Sequence, residues 1–225
     1  LHADVAPWLL DRLLGGDITN DEALRYALDI MTGGGVDAAA AAKLAASRLA
    51  WTNEGGLRPR WYALWVDSDP DRALPALTAE LDALPMEEAT KFAQRFILSL
   101  VGGRHGSPAR IGAYRTAGHL RTLYVLMHRH IPVASDIDRS GKGAYSPTLR
   151  DSAQDSRNTL FNMLSQLPGE ETYAAMKALE LQHPEPSYRR WMGIRARAHA
   201  IADAEEPLWA PGKVHDFMTG RGRDA

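Results

Sequence analysis

Asp136, Asp138, Ser140 and Gly141 stand where a calcium loop would begin, with oxygen donors at alternate positions and a turning glycine at the sixth. Such a site is closed by a bidentate glutamate at the twelfth position, which here is Pro147, so the stretch reads as a solvated acidic loop. Gly141-Lys142-Gly143 suggests a phosphate loop, but a Walker A motif needs a glycine where Asp136 stands and a hydroxyl residue where Gly143 stands. His128 and His130 are two apart, with His119 earlier in the same predicted helix. A helical zinc pair needs i, i+4 spacing and a third ligand, so these read as polar histidines near a helix end. Ser107, between Gly106 and Pro108, is a turn or cap residue, since no GxSxG elbow surrounds it. Glu87-Glu88 and Glu205-Glu206 sit at helix ends, where solvation accounts for them. The chain has no cysteine, which excludes disulfide scaffolds, thiolate metal sites and cysteine nucleophiles. The expectation is a chain with no catalytic residue, no cofactor and no metal of its own.

Charge is more informative. The 225 residues carry a formal charge of −2, yet no acidic residue occurs from Ala89 to Ser135. That window holds Lys91, Arg95, Arg104, Arg110, Arg115, Arg121 and Arg129, with His105, His119, His128 and His130. Just upstream, Asp67, Asp69, Asp71, Glu80, Asp82, Glu87 and Glu88 are opposed by Arg72 alone. Two outcomes are compatible with this polarity. Neighbouring helical hairpins of opposite charge could complement each other, or a basic face, region 91–130, could grip nucleic-acid phosphates or an acidic protein. Helical-repeat surfaces do bind DNA in some alkylpurine glycosylases.

The elements that would position these groups are helical. Thr19 and Glu22 form a capping box ahead of the apolar stripe Leu24, Ala27, Leu28 and Met31, which Gly33-Gly34-Gly35 ends. Asp37 caps an alanine-rich helix running to about Trp51, and Ala89, Phe92, Ala93, Phe96, Ile97 and Leu100 mark another, closed by Gly102 and Gly103. A third spans about 110–131, with Ala113, Ala117, Leu120, Tyr124 and Met127 on one side. Pro75 lies too deep for a helix beginning at Pro70, which places that start near Asp71. Ser146 and Pro147 are placed as N-cap and first residue of a helix whose stripe is Leu149, Ala153, Leu160 and Leu164. Pro168-Gly169 ends it, and Pro184 with Pro186 ends the next. The alternating alanines from Ala196 to Ala204 read as helix, because alanine favours helix over strand. Trp61 with Trp65, and Trp191 beside Tyr188 and Met192, read as hairpin core rather than as a base-stacking platform.

About ten helices follow, paired as hairpins. Alanine, the commonest residue, lets helices approach closely, so the expected fold is all-α, a HEAT- or armadillo-like α-solenoid, with a compact helical bundle as the alternative. The expected organisation is a single continuous repeat domain with N-terminal hairpins over 1–130, an irregular joint at 131–147, C-terminal hairpins over 148–218 and a tail at 219–225. No run of 18 apolar residues suggests a membrane span. With no signal-peptide pattern either, a cytoplasmic protein is expected. The chain begins with Leu1, which suggests a piece of a larger protein.

Residues 136–179 and 188–211 carry a resemblance. Tyr145-Ser146-Pro147, Arg150-Asp151, Ala153-Gln154, Arg157, Leu160 and the closing Trp209-Ala210-Pro211 resemble the helical-repeat region that follows the NTPase module in bacterial NACHT-type (STAND) ATPases implicated in antiphage defence. The resemblance extends over about 60–218. It implies a non-enzymatic sensor or scaffold array in a larger protein, with hydrolysis and cleavage belonging to other modules. Its surface would meet a protein partner or adjacent domains of the same polypeptide. In the helix after Pro147, Arg150, Gln154 and Arg157 fall at i, i+4 and i+7, a polar stripe beside the apolar one. Together with Arg110, Arg115, Arg121 and Arg129 they form the candidate interaction surface.

Overall fold

A computed structural model describes residues 2–18, 37–51, 56–102, 111–136, 148–183 and 185–205. Among the described residues all regular structure is helical. The helices are α1 (His2–Leu14), α2 (Ala38–Trp51), α3 (Arg58–Ser68), α4 (Pro70–Ala83), α5 (Met86–Val101), α6 (Ala117–His130), α7 (Leu149–Leu164), α8 (Glu170–Gln182) and α9 (Pro186–Glu205). A 3-10 turn covers Val133–Ser135. The chain forms two compact units, residues 1–160 and 161–225, with the boundary inside α7. The Thr19–Glu22 box, the Gly33–Gly35 stop, Arg110, Ser107, the Gly141-Lys142-Gly143 sequence and the Ser146-Pro147 pair all lie outside the described residues.

Helix ends follow local chemistry. The Asp37 carboxylate accepts the Ala40 N–H at 3.1 Å, so α2 starts where a cap is available. Gly102 closes α5 with φ +81°, a conformation that a Cβ would oppose. Two boundaries differ from expectation. First, α4 begins at Pro70, with Asp69 as N-cap accepting the Arg72 N–H at 3.4 Å, and Pro75 lies inside the helix. Proline fits the first helical position, where its missing N–H would have no partner anyway. Pro75 and Asp71 are both exposed, so the carbonyl that Pro75 cannot serve is not sealed in the core. Second, α6 begins at Ala117, not near residue 110, because the Thr116 hydroxyl accepts the His119 N–H and caps the helix there.

The start of α7 is instead a capping box. Thr148 Oγ1 accepts the Asp151 N–H at 3.3 Å, while the Asp151 carboxylate accepts the Thr148 N–H at 2.8 Å and its hydroxyl at 2.6 Å. A threonine followed three residues later by an aspartate does what Ser146 was expected to do.

Within the first unit α3 is the hub. It packs against α2, α4 and α5, and is buried on most sides through Pro59, Trp61, Tyr62, Ala63, Leu64, Val66, Asp67 and Ser68. Trp61 is thus core, as its spacing suggested, while Trp65 lies half-buried against the Tyr62 ring. Ala41, Ala42 and Ala45 let α2 approach its neighbours closely. Packing in this unit joins helices one or two apart among those described: α1 with α2, each of α2 to α5 with the next, α3 with α5, and α4 with α6.

Two arginines, Arg48 buried and Arg58 half-buried, tie these helices together. The Arg48 guanidinium of α2 reaches the Leu13 carbonyl at the end of α1, and burial pulls its pKa down. Arg58 grips Glu80 with two bonds of 2.8 and 2.7 Å and donates to the Leu49 carbonyl at 2.8 Å, joining α2, α3 and α4. Tyr62 donates to the same carboxylate at 3.4 Å, and burial, aided by the Glu80 charge, pushes its phenol up to about 12.

In the second unit α8 and α9 pack as a pair. Phe161 lies against Trp191 (4.8 Å between rings), Trp191 against Tyr188 (6.1 Å), and Tyr188 is stacked on His183 (5.0 Å, 6°). Buried Met176, Leu179, Met192 and Ala196 fill the seam. A Cβ at Gly193 would overlap the Glu180 carboxylate, so glycine there permits the close approach.

Candidate interaction surface

The acid-free segment and the acidic segment before it meet directly. Packing of α4 against α6 brings Asp82 to Arg129 (3.0 Å) and Asp71 to His119 Nε2 (2.9 Å). Lys91 pairs with Glu87 on α5 at 2.6 Å. Asp67 of α3 holds the turn before α6. Its buried carboxylate accepts the Ile111 N–H at 2.9 Å and the Gly112 N–H at 2.7 Å, and its carbonyl accepts the Ala113 N–H at 3.0 Å. Gly112 adopts φ +78° there, which explains a glycine at that position. Ala113 therefore belongs to this turn and not to a helix. Part of the polarity seen in sequence is thus internal complementarity.

Each predicted surface residue except Arg110, which lies outside the described residues, has a definite place. Arg115 and Arg121 are exposed, the first lying against the Tyr114 ring at 5.8 Å, and Arg129 is exposed but paired with Asp82. Arg150 is exposed and donates to the Ser135 carbonyl, whereas Gln154 is half-buried.

Arg157 is not a surface group. It is fully buried, holds Asp136 through two bonds of 2.9 and 2.6 Å, and donates to the Ile131 carbonyl at 2.7 Å and to Asn158 Oδ1. The polar stripe on α7 therefore divides: its N-terminal residue faces solvent and its last residue is an internal anchor. The guanidinium is satisfied on every side, the condition under which a charge can be buried. Asp136, the first oxygen of the calcium-like pattern, is engaged by this anchor.

The histidines separate likewise. His128 lies against the Tyr124 ring at 4.1 Å, and His119 bridges Thr116 and Asp71. His130 is buried rather than exposed, and neither ring nitrogen has a hydrogen-bond partner among the described residues. Burial lowers its pKa, the adjacent Arg129 lowers it further, and Asp82 raises it. Among the described residues no group of three His, Asp or Glu side chains is arranged to hold a metal ion. Nor is any helix among them long and apolar enough to cross a membrane.

One surface escaped the sequence reading. On α9, Arg189, Arg190, Arg195 and Arg197 are exposed, and Ile194 among them is half exposed. Arg195 donates to Asn162 Oδ1 and Ser165 Oγ, both at 3.3 Å. No side-chain hydrogen bond or ion pair engages Arg189, Arg190 or Arg197 among the described residues. The signal is in the sequence, since residues 186–202 contain no acid. No family model, curated protein or solved structure matches the chain.

Proposed function

We propose that this chain is a non-enzymatic helical-repeat segment that recognises or scaffolds a protein partner within a larger, defence-related NTPase. The observation that carries the reading is the packing order of the first unit, where helices join those one or two places along the chain among the described ones. That neighbour-to-neighbour pattern is how stacked hairpins grow into an α-solenoid. The resemblance to NACHT-type ATPases supports the larger context. Among its residues, Asp151 caps α7 while Ala153, Arg157 and Leu160 are buried, so it rests on framework positions that a shared scaffold would need.

The nucleic-acid reading draws on less. Arg115 and Arg121 remain exposed, but Arg129 and His119 are turned toward Asp82 and Asp71, and Tyr114 and Tyr124 are buried. Solution X-ray scattering tests the solenoid. A compact domain of this length has a radius of gyration of about 17 Å. A clearly larger radius with an asymmetric distance distribution is expected. A symmetric distribution at the compact value would rule the solenoid out and leave a helical bundle.

A further inference from the structure

We infer that the exposed face of α9 is a docking surface for an acidic amphipathic helix of a protein partner. The inference rests on the recognition reading above and gives that partner a chemistry. Arg190, Ile194 and Arg197 fall at i, i+4 and i+7, on one side of the helix, and Arg189 flanks them. Arg190 and Arg197 are separated by about 10 Å along the axis. Ile194, 50% exposed, sits between them. Their guanidinium groups meet no carboxylate among the described residues, unlike Arg58, Arg129 and Arg157.

This face therefore offers an apolar centre between planar cations that meet no carboxylate among the described residues, and its complement is an apolar side chain between carboxylates with the same spacing. A helix with Glu or Asp at i and i+7 and Leu or Ile between them supplies it, each carboxylate accepting two parallel bonds from one arginine. Arginine around a desolvated apolar centre is the usual composition of a protein interface. Nucleic acid fits less well. Its phosphates leave Ile194 without a partner, and the nearest aromatic rings, Tyr188 and Trp191, are engaged with His183 and Phe161 and offer no stacking platform. The chain's −2 charge adds no long-range pull on a polyanion.

The test is fluorescence anisotropy with the full chain and a labelled designed helix carrying Glu at i and i+7 and Leu at i+3 and i+4. The expected result is binding of this peptide and not of its Glu→Lys counterpart. Binding should weaken about tenfold or more in Arg190→Glu/Arg197→Glu and several-fold in Ile194→Ser. Circular dichroism checks that these exposed substitutions leave the helix content unchanged. Arg190→Gln/Arg197→Gln provides a milder pair if the reversal disturbs folding. Failure to bind the acidic helix overturns the inference, as does tighter binding of a short DNA duplex through the same arginines. If Arg115→Glu/Arg121→Glu abolishes peptide binding while the α9 variants do not, the inference falls but the recognition reading stands.

Discussion

Arg150 and Arg157 belong to one helix, one amino-acid type and one sequence stripe, yet they have opposite physical roles. Arg157 lies in the core with Asp136, Ile131 and Asn158 as partners, and Arg150 is exposed. Removing one member of a buried ion pair strands the other, which destabilises a fold by about 3–5 kcal/mol, whereas an exposed charge contributes about 0–1 kcal/mol. Urea unfolding should thus show a large loss for Arg157→Ala and almost none for Arg150→Ala; equal effects would contradict the anchor. His130 makes a second prediction at this scale. Its folded pKa is depressed, so its contribution to stability is present above the ordinary histidine value of about 6.5 and is lost as pH falls toward the folded value. The wild type should lose stability on acidification more steeply than His130→Leu, as followed by thermal melts across that range.

At the scale of single elements, α4 contains a built-in fault. Pro75 lies inside it, without an N–H for the Asp71 carbonyl, on an exposed side of the helix. Proline in a helix interior costs about 3 kcal/mol relative to alanine, partly offset by the freedom it removes from the unfolded chain. Pro75→Ala should raise the melting temperature by an amount equivalent to about 1–2 kcal/mol. An unchanged or lower value would mean that the ring is needed where it stands. The same helix shows why its start was misplaced from sequence. The Asp69 cap and the proline at the first position outweigh one interior proline when the affected carbonyl can remain outside the core. The start of α7 was misplaced for a related reason: serine and threonine both cap, and the reciprocal bonds to Asp151 select Thr148.

At the scale of the whole molecule, part of the charge polarity along the chain is matched internally among the described residues, while Arg115 and Arg121 stay exposed. Asp82 with Arg129 and Asp71 with His119 convert a sequence-long polarity into contacts between α4 and α6. A chain of this kind should show no appreciable affinity for duplex DNA even at about 50 mM salt, where phosphate contacts are strongest. Mobility-shift titrations check this. Retention that weakens steeply by about 200 mM and vanishes in Arg115→Ala/Arg121→Ala would restore the nucleic-acid reading.

Apolar periodicity, alanine content and local caps were enough to determine helices and several of their ends by themselves, since those depend on neighbours three and four residues away. Asp37 before α2, Gly102 after α5 and the helical nature of residues 196–204 were all legible in that way. What only the tertiary structure decided was which polar groups remain outside. Spacing on a helix places Arg150, Gln154 and Arg157 on one side but says nothing of what approaches that side from residues 131–136. The run of arginines on α9 is legible in sequence, but not that three of them meet no partner among the described residues. A charge becomes an anchor, a matched pair or an open docking group according to contacts between residues far apart in the chain, and those exist only once the helices have packed.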